Sequence, residues 1–287
     1  MKKIIIAFVY LFLSFNAISQ SISAELDEAV MTFVKQEKFT GTILVARKGE
    51  ILLHKAYGQK NDEAGQANTV NSIYQIASLA KQFTAAVILK LQEQGKLSVK
   101  DKVSKYYPGY PNGDKITIHH LLSHTSGIYN YSDNKAFMAG DQSQPVTLDS
   151  MIRLFNNQPL VFEPGSRFSY SNSGYTLLGY IIEKVTGKSY QHVLNKLILK
   201  PLHLRHSGYD YLALKDSNKT TGYLQYGSGG FTKANPVHPS ILYTTGALYS
   251  TTGDLYKWHQ ALMGNRFLSA ASIQLLYTPY SGRYGYG

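Results

Sequence analysis

The segment from Ser78 to Gln94 reads as one helix, closed by Gly95, and its residues Ala85, Ala86, Val87, Ile88, Leu89 and Leu91 are too apolar to face water. Any fold that contains this helix must wrap a core around it. Its first turn, carrying Ser78 and Lys81, is then expected to sit in a fixed, water-poor setting.

The pattern before the helix is different. Residues 24–37 place Leu26, Val30, Phe33 and Val34 at helical spacing, and Thr40–Arg47 and Ile51–Tyr57 read as two strands around a Lys48-Gly49-Glu50 turn. After it, further helices are expected over Ile116–Ser123, Leu148–Asn156, Asn172–Thr186, Ser189–Leu199, Gly253–Met263 and Ala270–Leu276. Lys105–Asp114 and Tyr129–Pro145, rich in Tyr, Pro, Gly, Asn and Asp, read as surface loops. A strand-like Tyr284-Gly285-Tyr286 closes the chain. This order predicts an α/β fold in which a sheet lobe (21–75 and about 244–287) holds an inserted, mainly helical lobe (76–243).

The chain has no cysteine, so disulfides, thiolate metal sites and cysteine nucleophiles are excluded. Its start, Lys2-Lys3 followed by an apolar run from Ile4 to Phe15 and the small residues Ala17-Ile18-Ser19, reads as a secretory signal peptide over 1–20. The run is too short for a bilayer span. A periplasmic or secreted protein with no lasting membrane anchor is the expectation. A net charge of +11 suits anionic neighbours, but the lysines are scattered and form no stripe for nucleic acid.

Ser78-Leu79-Ala80-Lys81 puts a hydroxyl and an amine on one helical face. A serine at a helix start sits beside the positive end of the dipole, and a desolvated lysine can lose its proton and take one from that serine. The same spacing recurs at Ser132-Asp133-Asn134-Lys135, but in a polar loop without rigid support. A second element is Tyr170-Ser171-Asn172, in which a phenol near a cation can act as a general base and the Asn amide can bind a substrate carbonyl. It lies within Phe162-Glu163-Pro164-Gly165-Ser166-Arg167-Phe168-Ser169-Tyr170-Ser171-Asn172-Ser173-Gly174-Tyr175, where a Pro-Gly turn leads into a helix from Asn172.

These runs, with Leu121-Leu122-Ser123-His124-Thr125-Ser126-Gly127 and Gly246-Ala247-Leu248-Tyr249-Ser250-Thr251-Thr252-Gly253-Asp254-Leu255, follow the order seen in the serine β-lactamase and penicillin-binding-protein superfamily. Over residues 25–287 the chain resembles the branch of class C β-lactamases, D-Ala-D-Ala carboxypeptidases and esterases. The resemblance implies an antiparallel sheet flanked by helices and a serine hydrolase that works through an acyl-enzyme. By position it implies Ser78 as nucleophile, Lys81 and Tyr170 as proton-transfer partners, and Asn172 as ligand of the substrate amide. It implies no cofactor, and a substrate that is a small molecule or derived from peptidoglycan.

One family feature is not found. The third motif, [K/H]-[T/S]-G on a strand beside the site, has no match in a suitable place. His206-Ser207-Gly208 lies well upstream, and Thr244-Thr245-Gly246 lacks the cation. The expectation is a chain that stops before that motif, with an incomplete sheet and lowered activity. The rival reading is a catalytically silent wall-binding or sensor protein on the same fold. His120 and His124, four apart, lack the Glu that a metallopeptidase helix needs, and no G-x-S-x-G elbow occurs.

Overall fold

The computed structural model describes residues 22–36, 39–225, 230, 232–264 and 267–287. The segment 1–20, expected to be a signal peptide, lies outside them. Among the described residues, no helix is long and apolar enough to cross a membrane.

The architecture is α/β, with helices and small antiparallel sheets. The chain divides into two units. One holds the chain up to Ile73, Asp216–Ala234 and Thr251–Tyr256; the other holds Tyr74–Lys215, Asn235–Ser250 and Lys257–Gly287. This partition differs from the expected lobes, because 257–287 group with the helices and 216–234 with the strands.

In the first unit, a helix over 22–35 precedes strands Gly41–Arg47 and Glu50–Tyr57, which pair antiparallel. Lys48 and Gly49 both have positive φ, as a two-residue hairpin turn of this hand requires. Asp27 on the helix accepts from Lys55 Nζ at 2.6 Å and from Tyr57 OH at 2.8 Å, tying helix to hairpin. Two smaller strand pairs, Gln59–Asn61 with Gln66–Ala67 and Tyr223–Gln225 with Thr232–Lys233, complete the strands.

The second unit is organised by the apolar helix, which spans Ala80–Glu93 and buries ten residues, Lys81 among them. Each fully buried Val, Ile, Leu or Phe contributes roughly 1.5–3 kcal/mol, so this helix anchors the unit. Phe83 stacks on Trp258 at 4.4 Å, and Trp258 Nε1 donates to Gln82 Oε1 at 2.6 Å. Gly95 ends the helix in the left-handed region, with Gly95 N donating to Gln92 O and Lys96 N to Leu91 O, a Schellman closure. The start differs from expectation. A 3-10 turn over Ala77–Leu79 comes first, so Ser78 lies just outside the α-helix.

Against this helix pack Asn172–Thr186 and Pro239–Gly246. The first has the expected bounds. Ser171 caps its start by accepting from Gly174 N, and Gly187 at φ +63 ends it. The second was not expected from sequence. His238 caps it and Pro239 opens it, but its backbone breaks at Tyr243 (φ 38, ψ −124), which interrupts helical periodicity. Thr84 Oγ1 donates to Thr244 O at 2.9 Å, and Thr244 Oγ1 donates to Tyr175 O at 2.7 Å, fastening the three helices together.

Other expectations are corrected locally. The sheet of this unit has three short strands, Tyr74–Gln75, Leu248–Ser250 and Gly208–Tyr209, with the second in the middle. Tyr284 makes only an isolated bridge to Ser281, so 284–286 is not a strand; Tyr286 N instead bonds Leu276 O. Ser189–Leu199 divides into an α-turn, Tyr190–Leu194, and a π-turn, Asn195–Leu199. The loop around 129–145 contains a 3-10 turn, Tyr131–Asp133, and a short helix, Lys135–Ala139, capped by Asn134.

Candidate active site

All four residues singled out in the sequence lie in the second unit. Ser78 is delivered by the 3-10 turn, whose first residue Ala77 has φ +45. That left-handed geometry is costly for a side-chain-bearing residue and is held by the packing around it. Ile76 N bonds to Leu248 O, fixing the strand that leads into the turn. Ser78 and Leu79 are exposed, whereas the sequence predicted a buried turn.

Lys81 is 1% exposed, one turn further on. Its Nζ donates to Ser78 Oγ at 3.2 Å and to Thr245 O at 3.1 Å. It also lies 4.9 Å from the ring centroid of Tyr170 and 5.6 Å from that of Tyr175. No carboxylate ion pair reaches Lys81 among the described residues. Burial therefore works unopposed and pushes the amine down to about 7, against an ordinary value of 10.5. That displacement corresponds to roughly 5 kcal/mol against the charged form. An amine of this kind exchanges its proton near neutrality.

Tyr170 arrives from the extended piece before the Asn172–Thr186 helix. Its phenol donates to Ser78 Oγ at 2.9 Å across 92 residues of sequence. Burial raises the phenol, and the bond to Ser78 opposes that rise only in part, so the group stays protonated at neutral pH. Of the two partners of Ser78, the amine is the one that titrates within the physiological range.

Asn172 occupies the first position of its helix. Its N–H donates to Asn130 Oδ1 at 3.0 Å and its Nδ2 donates to Ser132 Oγ at 2.8 Å. This corrects the view of Ser132 as unsupported. Tyr131 beside it is buried, its N–H donates to Ser173 Oγ at 2.9 Å, and the 3-10 turn is thereby fixed to the helix start. Ser132 is a partner of Asn172, while Lys135 is exposed. The Ser-Asp-Asn run thus carries a positioning contact that sequence spacing alone does not reveal.

Thr245 is the other residue that sequence reasoning missed. Thr244-Thr245-Gly246 reads in the sequence only as a motif lacking its cation, yet the Thr245 carbonyl accepts from the Lys81 amine. The histidines have structural explanations. His120 forms a reciprocal cap with Thr117, and His119 Nδ1 bonds Tyr286 OH. No cluster able to hold a metal ion occurs among the described residues.

An alcohol with an amine and a phenol both directed at its oxygen is what nucleophilic serine chemistry asks for. A family model described as Beta-lactamase matches residues 26–286, and the chain belongs to this family of serine hydrolases. It is 32% identical over 266 residues to a Bacillus subtilis (strain 168) protein named as a penicillin-binding protein, PbpX, with 92% of this chain and 66% of that protein covered. Among solved structures, a penicillin-binding protein from Bacillus halodurans is similar at 31% identity and a TM-score of 0.81, covering 89% of this chain and 80% of that one. A D-stereospecific amidohydrolase from a Streptomyces species is similar at 30% identity and a TM-score of 0.69, covering 75% and 69%. The chain spans 66%, 57% and 38% of the length of three curated relatives that it matches.

Proposed function

We propose that this protein is an exported serine hydrolase that forms an acyl-enzyme through Ser78, with β-lactams, D-Ala-D-Ala-type peptides or esters as its substrate classes. The observation that carries the reading is the pair of hydrogen bonds on Ser78 Oγ, one from Tyr170 and one from Lys81. Relatives named for penicillin binding and for D-stereospecific amide hydrolysis support the same chemistry.

In this reading Lys81, in its neutral form, takes the Ser78 proton as Oγ bonds to the substrate carbonyl carbon. Tyr170 supplies a hydrogen bond to the same oxygen and relays the proton toward the departing nitrogen or oxygen. The bond to the leaving group then breaks and the acyl group stays on Ser78. Water adds to that ester as its proton passes to the same amine, the bond between the acyl carbon and Oγ breaks, the amine returns the proton to Oγ, and the acid is released. Asn172, steadied by Ser132, presents an amide to the substrate.

The test is covalent labelling of the full-length chain with a fluorescent penicillin and with a fluorophosphonate. Wild type is expected to take up label and Ser78→Ala to take up none. A folded wild type that takes up neither label sinks the hydrolase reading in favour of a silent wall-binding or sensor protein.

The amine also sets a pH dependence. As pH rises from 6 to 8, Lys81 passes through its displaced value of about 7 and becomes the proton acceptor. Labelling is therefore expected to rise across this window and then level off. A rate that is flat between pH 6 and 8 argues against Lys81 as the acceptor.

A further inference from the structure

We infer that His124 is a positioning residue that brackets Tyr170 and holds its phenol on Ser78.

Three contacts with three consecutive residues carry this. The carbonyl of His124 accepts from Ser169 N at 2.9 Å. Its ring Nδ1 accepts from Ser171 N at 3.1 Å. The face of the ring lies on the ring of Tyr170 between them, with centroids 4.4 Å apart and planes tilted by 33°. Main chain on one side, ring nitrogen on the other and a flat face in the middle leave Tyr170 little freedom to swing.

The chemistry of imidazole explains the choice of residue. A backbone N–H can only donate, so Nδ1 must be unprotonated and the proton of the neutral ring sits on Nε2. Nε2 then donates to Tyr284 OH, 3.1 Å away, which anchors the far end of the ring. His124 is 1% exposed, and burial, helped by the nearby Lys81 charge, pushes it down to about 3, so the ring stays neutral across the working range. Its backbone is left-handed at φ +56, a region in which His, Asn and Asp are over-represented. A flat aromatic face with an acceptor at one edge and a donor at the opposite one is needed here, and among the aromatic side chains histidine alone has both.

The rate readout of this inference rests on the hydrolase reading above, so a second readout is chosen that does not. Full-length protein carrying 13Cζ-labelled tyrosine is prepared as wild type, His124→Asn and His124→Phe, with Tyr170→Phe used to assign the Tyr170 signal. Asn keeps an acceptor near the Nδ1 position and tolerates the left-handed backbone, but removes the stacked face. Phe keeps the face and removes the acceptor and donor. Both variants are expected to move the Tyr170 carbon signal. Both are also expected to slow acylation by fluorescent penicillin roughly 10- to 100-fold, with half-saturation changed less than about threefold, as for a misplaced catalytic group. If His124→Phe does not fold, His124→Asn decides. Acylation at the wild-type rate, with the Tyr170 signal unmoved in a folded variant, overturns the inference. A wild type that takes no label while the Tyr170 signal still moves in the variants overturns the hydrolase reading and upholds the bracket. No label and no movement overturn both.

Discussion

Lys81→Met is expected to yield a protein that is more stable than wild type and inert toward acylation. The buried amine is disfavoured in its charged form, with its value displaced from 10.5 to about 7. The sign follows from proton counting. Between these two values the unfolded chain binds the proton and the folded chain does not, so wild-type stability rises with pH across that window and the full penalty is felt below pH 7. A thioether of similar length removes the penalty but also the bonds to Thr245 O and Ser78 Oγ, worth about 1 kcal/mol each. The net gain is expected at about 2–3 kcal/mol near pH 7, shrinking toward pH 9.5. Thermal unfolding at pH 7 and 9 tests it. A Met variant less stable than wild type at pH 7 refutes the account of the lysine. The same variant should label at least about a thousandfold more slowly, since removal of a catalytic base costs on that order.

Gly179→Ala is expected to destabilise the second unit strongly. Gly179 lies on the face of Asn172–Thr186 that meets Pro239–Gly246, and a Cβ there would overlap the Tyr243 ring and stand 2.5 Å from Thr244 Cγ2. Thr244 is fully buried and Tyr243 is nearly so, and the Tyr243 backbone is already in a strained conformation. Neither neighbour can step aside cheaply. Overpacking of this kind costs about 3 kcal/mol, which lowers the melting temperature by roughly 6–12 °C in a domain of this size. The shift should also carry the Thr245 carbonyl away from Lys81, so labelling should fall more than stability alone explains. An unchanged melting temperature would contradict the packing described here.

How much of this was legible in the sequence depended on whether the signal was local. Asn172–Thr186 could be bounded at both ends because Ser171 supplies a cap, a Pro-Gly turn precedes it and Gly187 supplies the left-handed stop. The turn at Lys48-Gly49 was readable for the same reason. Ser78 and Lys81 are legible from their spacing at the start of an apolar helix, Tyr170 only through the family resemblance of the run around it, and the structure brings the three within hydrogen-bonding reach. Pro239–Gly246 was missed because its break at Tyr243 destroys the 3.6-residue period. The role of the Thr245 carbonyl was invisible because a backbone atom leaves no trace in residue type. The polar neighbours of Ser132 suggest a loose loop, whereas the turn that carries it is held through Tyr131 by Ser173, some forty residues away. The sheets were the weakest reading. Strands of two or three residues, such as Gly208–Tyr209, are too short to show alternation.

The surroundings of Lys81 have one more consequence. Its proton affinity is governed by exclusion from water, with no acidic partner among the described residues whose attraction dissolved ions could weaken. Counterions damp interactions between exposed charges over about 10 Å at 0.1 M, and here they find nothing to damp. The acid–base step should therefore proceed alike in dilute buffer and in brine, a tolerance that a lysine tuned by a surface carboxylate would lack.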